Sequence, residues 1–510
     1  LDQKTDAAGL RGQWGNTTEN LTEMKRKKLQ EGKMAHRFEK QGGGRWTPWV
    51  NAIGRFAAFL SVALFLNILL GACPLAAAEK AEKSVTEQIL DILKEEGKIS
   101  EEKYQELTAK AQEEKGKDTD FNVYWKEGLR FESNDGQFKA QIGGRIQLDW
   151  ANIDADNPMG REIEQAEGGN TLEGNGVEFR RARLFVSGTI YDSVDFKAQY
   201  DFADGDTDFN DVYLGLRGIP YVGKIRVGHQ KEPFSLEQIT SSKYITFMER
   251  ALPAAFVPGR NTGLLLGNAV LDKRMTWSAG VFQDTDDFGN SFNDFEDWNV
   301  TGRLTGLPWY EEEGKRLLHL GLSYTHQFRD EGDTTVRFRE RPESHITDAR
   351  IVNTGRLPAD AVDIVNPELA MVLGPFSLQG EYFYTWVDSQ VADDPEFDGF
   401  YIYGSYFLTG ESRNYSTSSG AFDRVKPKSN FHPTEGGWGA WEVGLRYSNI
   451  DLSDGNVNGG EADNFTVGLN WYLNPNVRWM ANYVYSDVEN REDVSDDDLN
   501  IVQTRFQIDF

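Results

Sequence analysis

The stretch that decides the fold is "QFKAQIGGRIQLDW", residues 137 to 150. Phe138, Ala140, Ile142, Ile146, Leu148 and Trp150 fall on one face of an extended chain, and Lys139, Gln141, Arg145, Gln147 and Asp149 on the other. Successive side chains of a β-strand point to opposite faces, so this is a strand with one apolar and one charged side. A soluble sheet turns its apolar side to a core. A membrane barrel turns it to lipid and keeps the polar side for its lumen.

The same split recurs outward from this stretch, in "VDFKAQYDF" (194 to 202), "WEVGLRYS" (441 to 448), "FTVGLNWYL" (465 to 473) and "VQTRFQIDF" (502 to 510). Tight links ("YDSV", "LDKR", "GPFS", "LNPN") are interleaved with longer acidic ones at 152 to 175, 284 to 297 and 488 to 498. The spacing predicts about 16 strands between Gln137 and Phe510, with a partial strand in 121 to 133. A soluble sandwich or repeat array could also hold many strands. Three features favour the barrel. The strands are about the 9–11 residues that a tilted spanning strand requires. Their apolar faces end in Trp150, Tyr200, Tyr384, Trp386, Trp441, Tyr447, Trp471, Tyr483 and Tyr485, as an interfacial girdle would, and the last strand ends on Phe510. The expected fold is all-β, a 16-stranded antiparallel transmembrane β-barrel over 121 to 510, with a short helical arm before it.

Two segments precede the barrel. "RFAAFLSVALFLNILLGACPLAAAEK", residues 55 to 80, follows basic residues and ends in small ones, the layout of a secretory leader cleaved after Ala78. A membrane anchor is the alternative, although the apolar core is shorter than the ~20 residues of a helical span. Lipidation at Cys73 is another. Residues 1 to 78 are thus expected to be extension and signal peptide. Residues 79 to 120 are expected to form a coiled-coil-like periplasmic arm: Ser84 and Glu87 make a capping box, Val85, Ile89, Ile92 and Leu93 an apolar stripe, and Gly97 a break before a second helix capped by Ser100.

Composition excludes several functions. The 510 residues carry a net charge of -27, which opposes nucleic acid as a partner. Cys73 is the one cysteine, so neither a disulfide framework nor a thiolate metal site is expected. HExxH, GxSxG and GxxxxGK[ST] motifs are absent and the six histidines show no ligand spacing. "DGDTDFND" (204 to 211) lacks the turn glycine of a calcium loop and reads as an acidic loop. Neither an enzyme nor a cofactor is expected.

The cations carry the functional signal. Alternation sends Lys139, Arg145, Arg181, Arg183, Lys197, Arg217, Lys224, Arg226, Arg303, Arg446, Arg478 and Arg505 to the lumen, where they outnumber the acids of the same strands. A lumen biased to positive charge prefers anions; the alternative is that these arginines brace the wall by pairing with its acids. Residues 232 to 262 are long for a loop and hold apolar residues that solvent would waste. Folded into the lumen, this loop would bury them and narrow the channel, bringing Lys231, Lys243, Arg250 and Arg260 with it. Arginine suits phosphate because its planar fork donates two parallel hydrogen bonds.

Several segments resemble the phosphate-selective porins O and P: "GLRFESNDGQFKAQIGGRIQLDW", "EFRRARLFVSGTIYDSVDFKAQYDFA", "SSKYITFMERALPAAFVPGRNTG", "YGSYFLTGESRNY", "GGWGAWEVGLRYSNIDL" and "VGLNWYLNPNVRWMANYVY". The resemblance implies a bacterial outer-membrane homotrimer bathed in membrane lipid, an inward third loop, and basic residues that pass inorganic phosphate or other small anions. The family's RRA motif matches Arg180, Arg181 and Ala182; the next position, often aromatic in members with a phosphate site, is Arg183. Lys243 and Arg250 match the basic positions of the "SSK…ER" segment. Alternation alone sends Arg180 to the apolar side, so it either lies above the membrane zone or the register breaks there.

Overall fold

A computed structural model describes residues 85–115, 121–155, 159–205, 207–291, 297–329, 335–391, 393–492 and 494–510. The leader, Cys73 and the residue 78 boundary lie outside them, as do the side chains of the Ser84–Glu87 capping box.

The arm is two helices, α1 (Val85–Glu95) and α2 (Glu101–Lys115). Gly97, at φ 66°, breaks the helical path, and the pair is joined by Lys94–Glu101 (2.8 Å) and by Tyr104 Oη donating to Asp91 (2.5 Å). Leu90 is buried while Ile89 and Ile92 stay half exposed.

The barrel strands are β1 (Phe138–Ala155), β2 (Gly174–Ile190), β3 (Val194–Asp201), β4 (Asp208–Ile219), β5 (Gly223–Lys231), β6 (Arg260–Val270), β7 (Met275–Gln283), β8 (Trp298–Glu311), β9 (Arg316–Phe328), β10 (Leu357–Leu373), β11 (Phe376–Ser389), β12 (Glu396–Phe407), β13 (Ala440–Asp454), β14 (Val457–Asn474), β15 (Val477–Arg491) and β16 (Asp497–Asp509). Each pairs antiparallel with the next, and β16 closes the ring on β1, Leu499 opposite Ala155 through Asp509 opposite Arg145. The 16 strands match the expected number. Residues 121 to 133 form a hairpin rather than one strand; its second limb, Leu129–Ser133, pairs with the start of β1 below the β16 contact.

Trp150, Trp386, Tyr447, Tyr483 and Tyr485 are exposed on the outer face, as is the apolar series Leu184, Leu214, Leu304, Leu322, Val467 and Phe506. On β1 the inward Arg145, Gln147 and Asp149 are buried, so the alternation of the opening stretch runs as its sequence requires. Closure satisfies every ladder hydrogen bond without an edge, the condition for strands in lipid.

The lumen is not an open tube. The constriction loop (232 to 259), which contains a short helix α3 (Leu236–Ile239), and residues 335 to 356 of the loop between β9 and β10 fold inward from one end. Phe234, Phe247, Leu252 and Phe256 of the first pack with Val336, Phe338, Ile351 and Val352 of the second, against inward Ile364, Phe383, Phe397, Tyr401 and Tyr403 of β10–β12. Burial of each such side chain stabilises by about 1.5–3 kcal/mol. Phe247 meets Tyr403 edge-on at 5.3 Å. The wall β10–β13 therefore carries a soluble-type core on its inner face and lipid-facing side chains on its outer face.

A third inward segment enters from the end with the tight turns. Residues 408 to 439 form a short hairpin (Asn414–Ser416 with Ala421–Asp423) that buries Tyr415 and Phe422 beside Leu236, Leu307, Leu317 and Ala370. Its Phe422 amide donates to Thr240 Oγ1 of the constriction loop at 3.4 Å. The alternation of short and long links does not anticipate this segment, which lies on the side of the tight turns.

Candidate functional site

The register between β1 and β2 slips at one point. Gln147 is opposite Arg181 and Leu148 is opposite Phe179, so Arg180 is the unpaired extra residue of a β-bulge. Phe179 still points outward, and Arg180 and Arg181 both reach inward; the register break, not a position above the membrane, explains Arg180. Arg180 grips Glu249 of the constriction loop with both arms, at 3.0 and 3.2 Å.

The loop is held by a ring of wall cations. Arg478 donates to Ile245 O (2.8 Å), Arg446 to Glu249 O (3.0 Å) and Arg505 to Met248 O. Arg505 also binds Asp149 through two contacts at 2.6–2.7 Å. These three arginines, which alternation places in the lumen, anchor loop backbone. Helix α3 is fastened at its N-terminus by Glu381, which accepts from the amides of Leu236 (3.0 Å) and Glu237 (2.8 Å). At its other end the freed carbonyls of Glu237, Gln238 and Thr240 accept from Arg250 at 3.2–3.5 Å, and Gln238 O also accepts from Lys231. Anion at the helix start and cation at its end both complement the backbone dipole.

The remaining predicted cations lie around this point, Arg183, Arg226 and Arg260 on the wall β1–β6 and Lys243 on the loop itself. Arg183 pairs with Asp201 (2.6 Å) and Arg260 with Asp211 (2.8 Å), which also takes Lys197 (2.5 Å). Arg226 pairs with Asp195 (2.9 Å) and lies over the Tyr213 ring. Lys243 reaches Asp509 (3.4 Å), and burial, with Arg145 and Arg424 nearby, pushes its pKa down to about 8 despite that carboxylate. Arg145 donates to Ser242 Oγ at 2.6 Å and lies 3.5 Å from Ser241 Oγ. Arg145, Lys231 and Arg250 have no carboxylate within ion-pair distance among the described residues. Sequence reasoning did not single out Arg145 as a site residue.

Two cavities flank the loop. One, of about 190 Å³, is lined by Arg180, Gln238, Glu249, Arg250, Glu340 and His345. The other, of about 510 Å³, is lined by Lys197, Arg217, Lys224, Arg226, Lys231 and Arg303, with Asp211 as its acid. Arg250 faces the first, Lys231 the second, and the Gln238 peptide lies between them.

The inward loops also return acids to the lumen that the strands alone lack. Glu232, Glu237 and Glu343 are buried there and Glu249 is half-buried, and β10 adds Glu368, held by Arg303 (2.7 and 2.8 Å), Ser323 (2.8 Å) and His319 (3.1 Å). Net positive character is therefore confined to the β1–β6 side. Burial would raise the Glu249 pKa, but Arg180, Arg181 and Arg505 hold it well below the usual carboxylate range. Glu340, in the loop above, is pushed up to about 7 by burial against the opposing pull of Arg350 and Arg341. Among the described residues no cluster could hold a metal ion.

A closed barrel, apolar outside and narrowed inside by a loop over a cationic wall, is the architecture of a channel-forming membrane protein. The model of the family "Phosphate-selective porin O and P" matches residues 141–510, and the chain belongs to that family. It is 28% identical to Porin O of Pseudomonas aeruginosa over 432 residues, 77% of this chain and 93% of that one. An uncharacterized protein of Caulobacter vibrioides is 30% identical over 399 residues, 76% of this chain and 77% of the other. Among solved structures, an anion-selective porin from Comamonas acidovorans is similar at 13% identity and TM-score 0.44, over 73% of this chain and 100% of its own. Family and fold are those of porins, which are channel proteins of the bacterial outer membrane.

Proposed function

We propose that this porin passively conducts small oxyanions, inorganic phosphate foremost, through the passage between the constriction loop and β1–β6. The observation that carries the reading is the pairing state of Arg145, Lys231 and Arg250. All three are cations, and their hydrogen-bond partners are neutral hydroxyl or carbonyl oxygens. An anionic oxygen is the stronger acceptor, with charge-assisted hydrogen bonds roughly twice as strong as neutral ones. An arriving oxyanion exchanges for those hydroxyl and carbonyl oxygens, and they take the cations back when it leaves. Entry is favourable and release is not blocked, the two requirements of conduction. Arg183, Arg226, Lys243 and Arg260, each paired with a carboxylate, and Arg180 and Arg181, tied to Glu249, shape the surrounding field.

The same reading keeps residues 1–78 as extension and leader, 79–120 as a periplasmic arm and the assembly as a homotrimer. The test is single-channel conductance of the refolded protein in chloride, titrated with phosphate. A chloride current blocked at low phosphate supports a saturable phosphate site; an unblocked, weakly selective current leaves a general porin. A second reading, a structural barrel, is favoured by the entry of loops from both ends of the lumen. It predicts no regular conductance steps.

A further inference from the structure

Glu249 occupies an unusual position. Its carboxylate takes Arg180 through two contacts, takes Arg505 at 2.6 Å and lies 3.8 Å from Arg181. Three guanidinium groups from β2 and β16 thus converge on one loop carboxylate, with Asp149 as the second acid on Arg505. The coordination is what an oxyanion would receive: planar forks from two sides at hydrogen-bond distance. Arg181 adds an independent sign. It is buried, its Nη1 donates to Gln147 Oε1 at 2.9 Å, and its Nε has no acceptor among the described residues. One donor of the cluster is left for an oxygen that Glu249 does not supply. The carboxylate also lines the 190 Å³ cavity.

We infer that Glu249 is a tethered counter-anion: it fills an oxyanion site formed by Arg180, Arg181 and Arg505, and so sets how weakly that site holds a passing phosphate or similar oxyanion. A cluster of three arginines left open would retain a multivalent anion and slow its flux. Filled by a side chain of the loop, the same cluster attracts through its residual positive charge while leaving open only the Arg181 Nε. The backbone supports the assignment. The bulge at Arg180 places adjacent arginines on one side of the strand, where regular alternation would separate them.

This inference rests on the proposed anion conduction, and its test separates the two. Glu249→Gln keeps the shape and removes the charge. In planar bilayers with the refolded full chain, the phosphate concentration that halves the chloride current is expected to fall at least about tenfold, one charge-assisted hydrogen bond's worth. Adding Arg180→Gln to Glu249→Gln is expected to abolish that gain. An E249Q half-blocking concentration equal to or above that of the unmodified protein overturns the inference. So does a larger, fluctuating conductance with lower anion selectivity, which would mean that Glu249 only holds the loop. Because E249Q could fail to insert, phosphate-dependent melting in detergent gives a second measurement: stabilisation by phosphate greater in E249Q than in the unmodified protein is expected, and no difference overturns the inference. If the unmodified channel shows no anion preference while E249Q gains phosphate block, the proposed function fails and the inference stands.

Discussion

Lys231 and Arg250 donate to the same oxygen, the carbonyl of Gln238, each from its own cavity. One peptide group therefore separates two cations whose neighbours do not neutralise them. Reversing the charge of Lys231 (Lys231→Glu) removes one cation and adds an anion at this point. The reversal potential in asymmetric potassium chloride is expected to move toward the potassium value, and Lys231→Gln to move it less far in the same direction.

The passage also titrates. A carboxyl whose folded pKa is raised is neutral below that value and charged above it, so Glu340 adds negative charge to the upper cavity as pH rises through about 7. Lys243, lowered to about 8, loses its positive charge as pH rises through that value. Both changes act in one direction, and anion selectivity is expected to fall between pH 6 and pH 9, roughly a unit either side of these two values. Glu340→Gln should remove the lower part of that fall and leave the upper part. For stability, the Glu340 charge costs free energy above its unfolded pKa, with the full cost present above pH 7.

Phe247→Ala deletes a side chain that is 1% exposed and packed edge-on against Tyr403. Such truncations cost about 3–5 kcal/mol. Here that cost falls on loop docking, so conductance is expected to rise with greater open-channel noise and weaker anion selectivity, while the barrel still forms.

Glu368→Gln leaves Arg303 without its bidentate carboxylate in a buried site, and Arg303 also holds Gly420 O of the turn-side hairpin at 2.8 Å. Breaking a buried pair from one side costs about 3–5 kcal/mol. A lower thermal midpoint in detergent is expected, together with faster proteolysis within residues 408 to 439.

Period two made the barrel legible wherever the lumen is wet, as on β1, where Arg145, Gln147 and Asp149 alternate with Ile146, Leu148 and Trp150. The code weakens on β10. There Val362, Ile364, Glu368, Ala370 and Val372 all point inward and are buried. An inward face covered by folded loops becomes apolar, so polar-inside no longer marks it, and Glu368 could not be assigned a side. Arg180 was ambiguous because a bulge flips direction by one residue without a composition signal. The acids of the constriction loop did not enter the lumenal charge balance, which was read from the strands alone: burial of a loop is a tertiary event, and only its surplus of apolar residues hints at it.

The core on β10–β12 has a mechanical consequence. The constriction loop is docked on one wall by interlocked rings and presents its polar edge to the opposite wall, so the aperture is the distance between a fixed abutment and a conducting surface. A substitution at Phe383 or Phe397 never meets an ion, yet it moves the abutment. On the proposed anion conduction, selectivity is thus partly a property of residues on the dry side of the lumen, and a search for tuned variants belongs there as much as among the arginines.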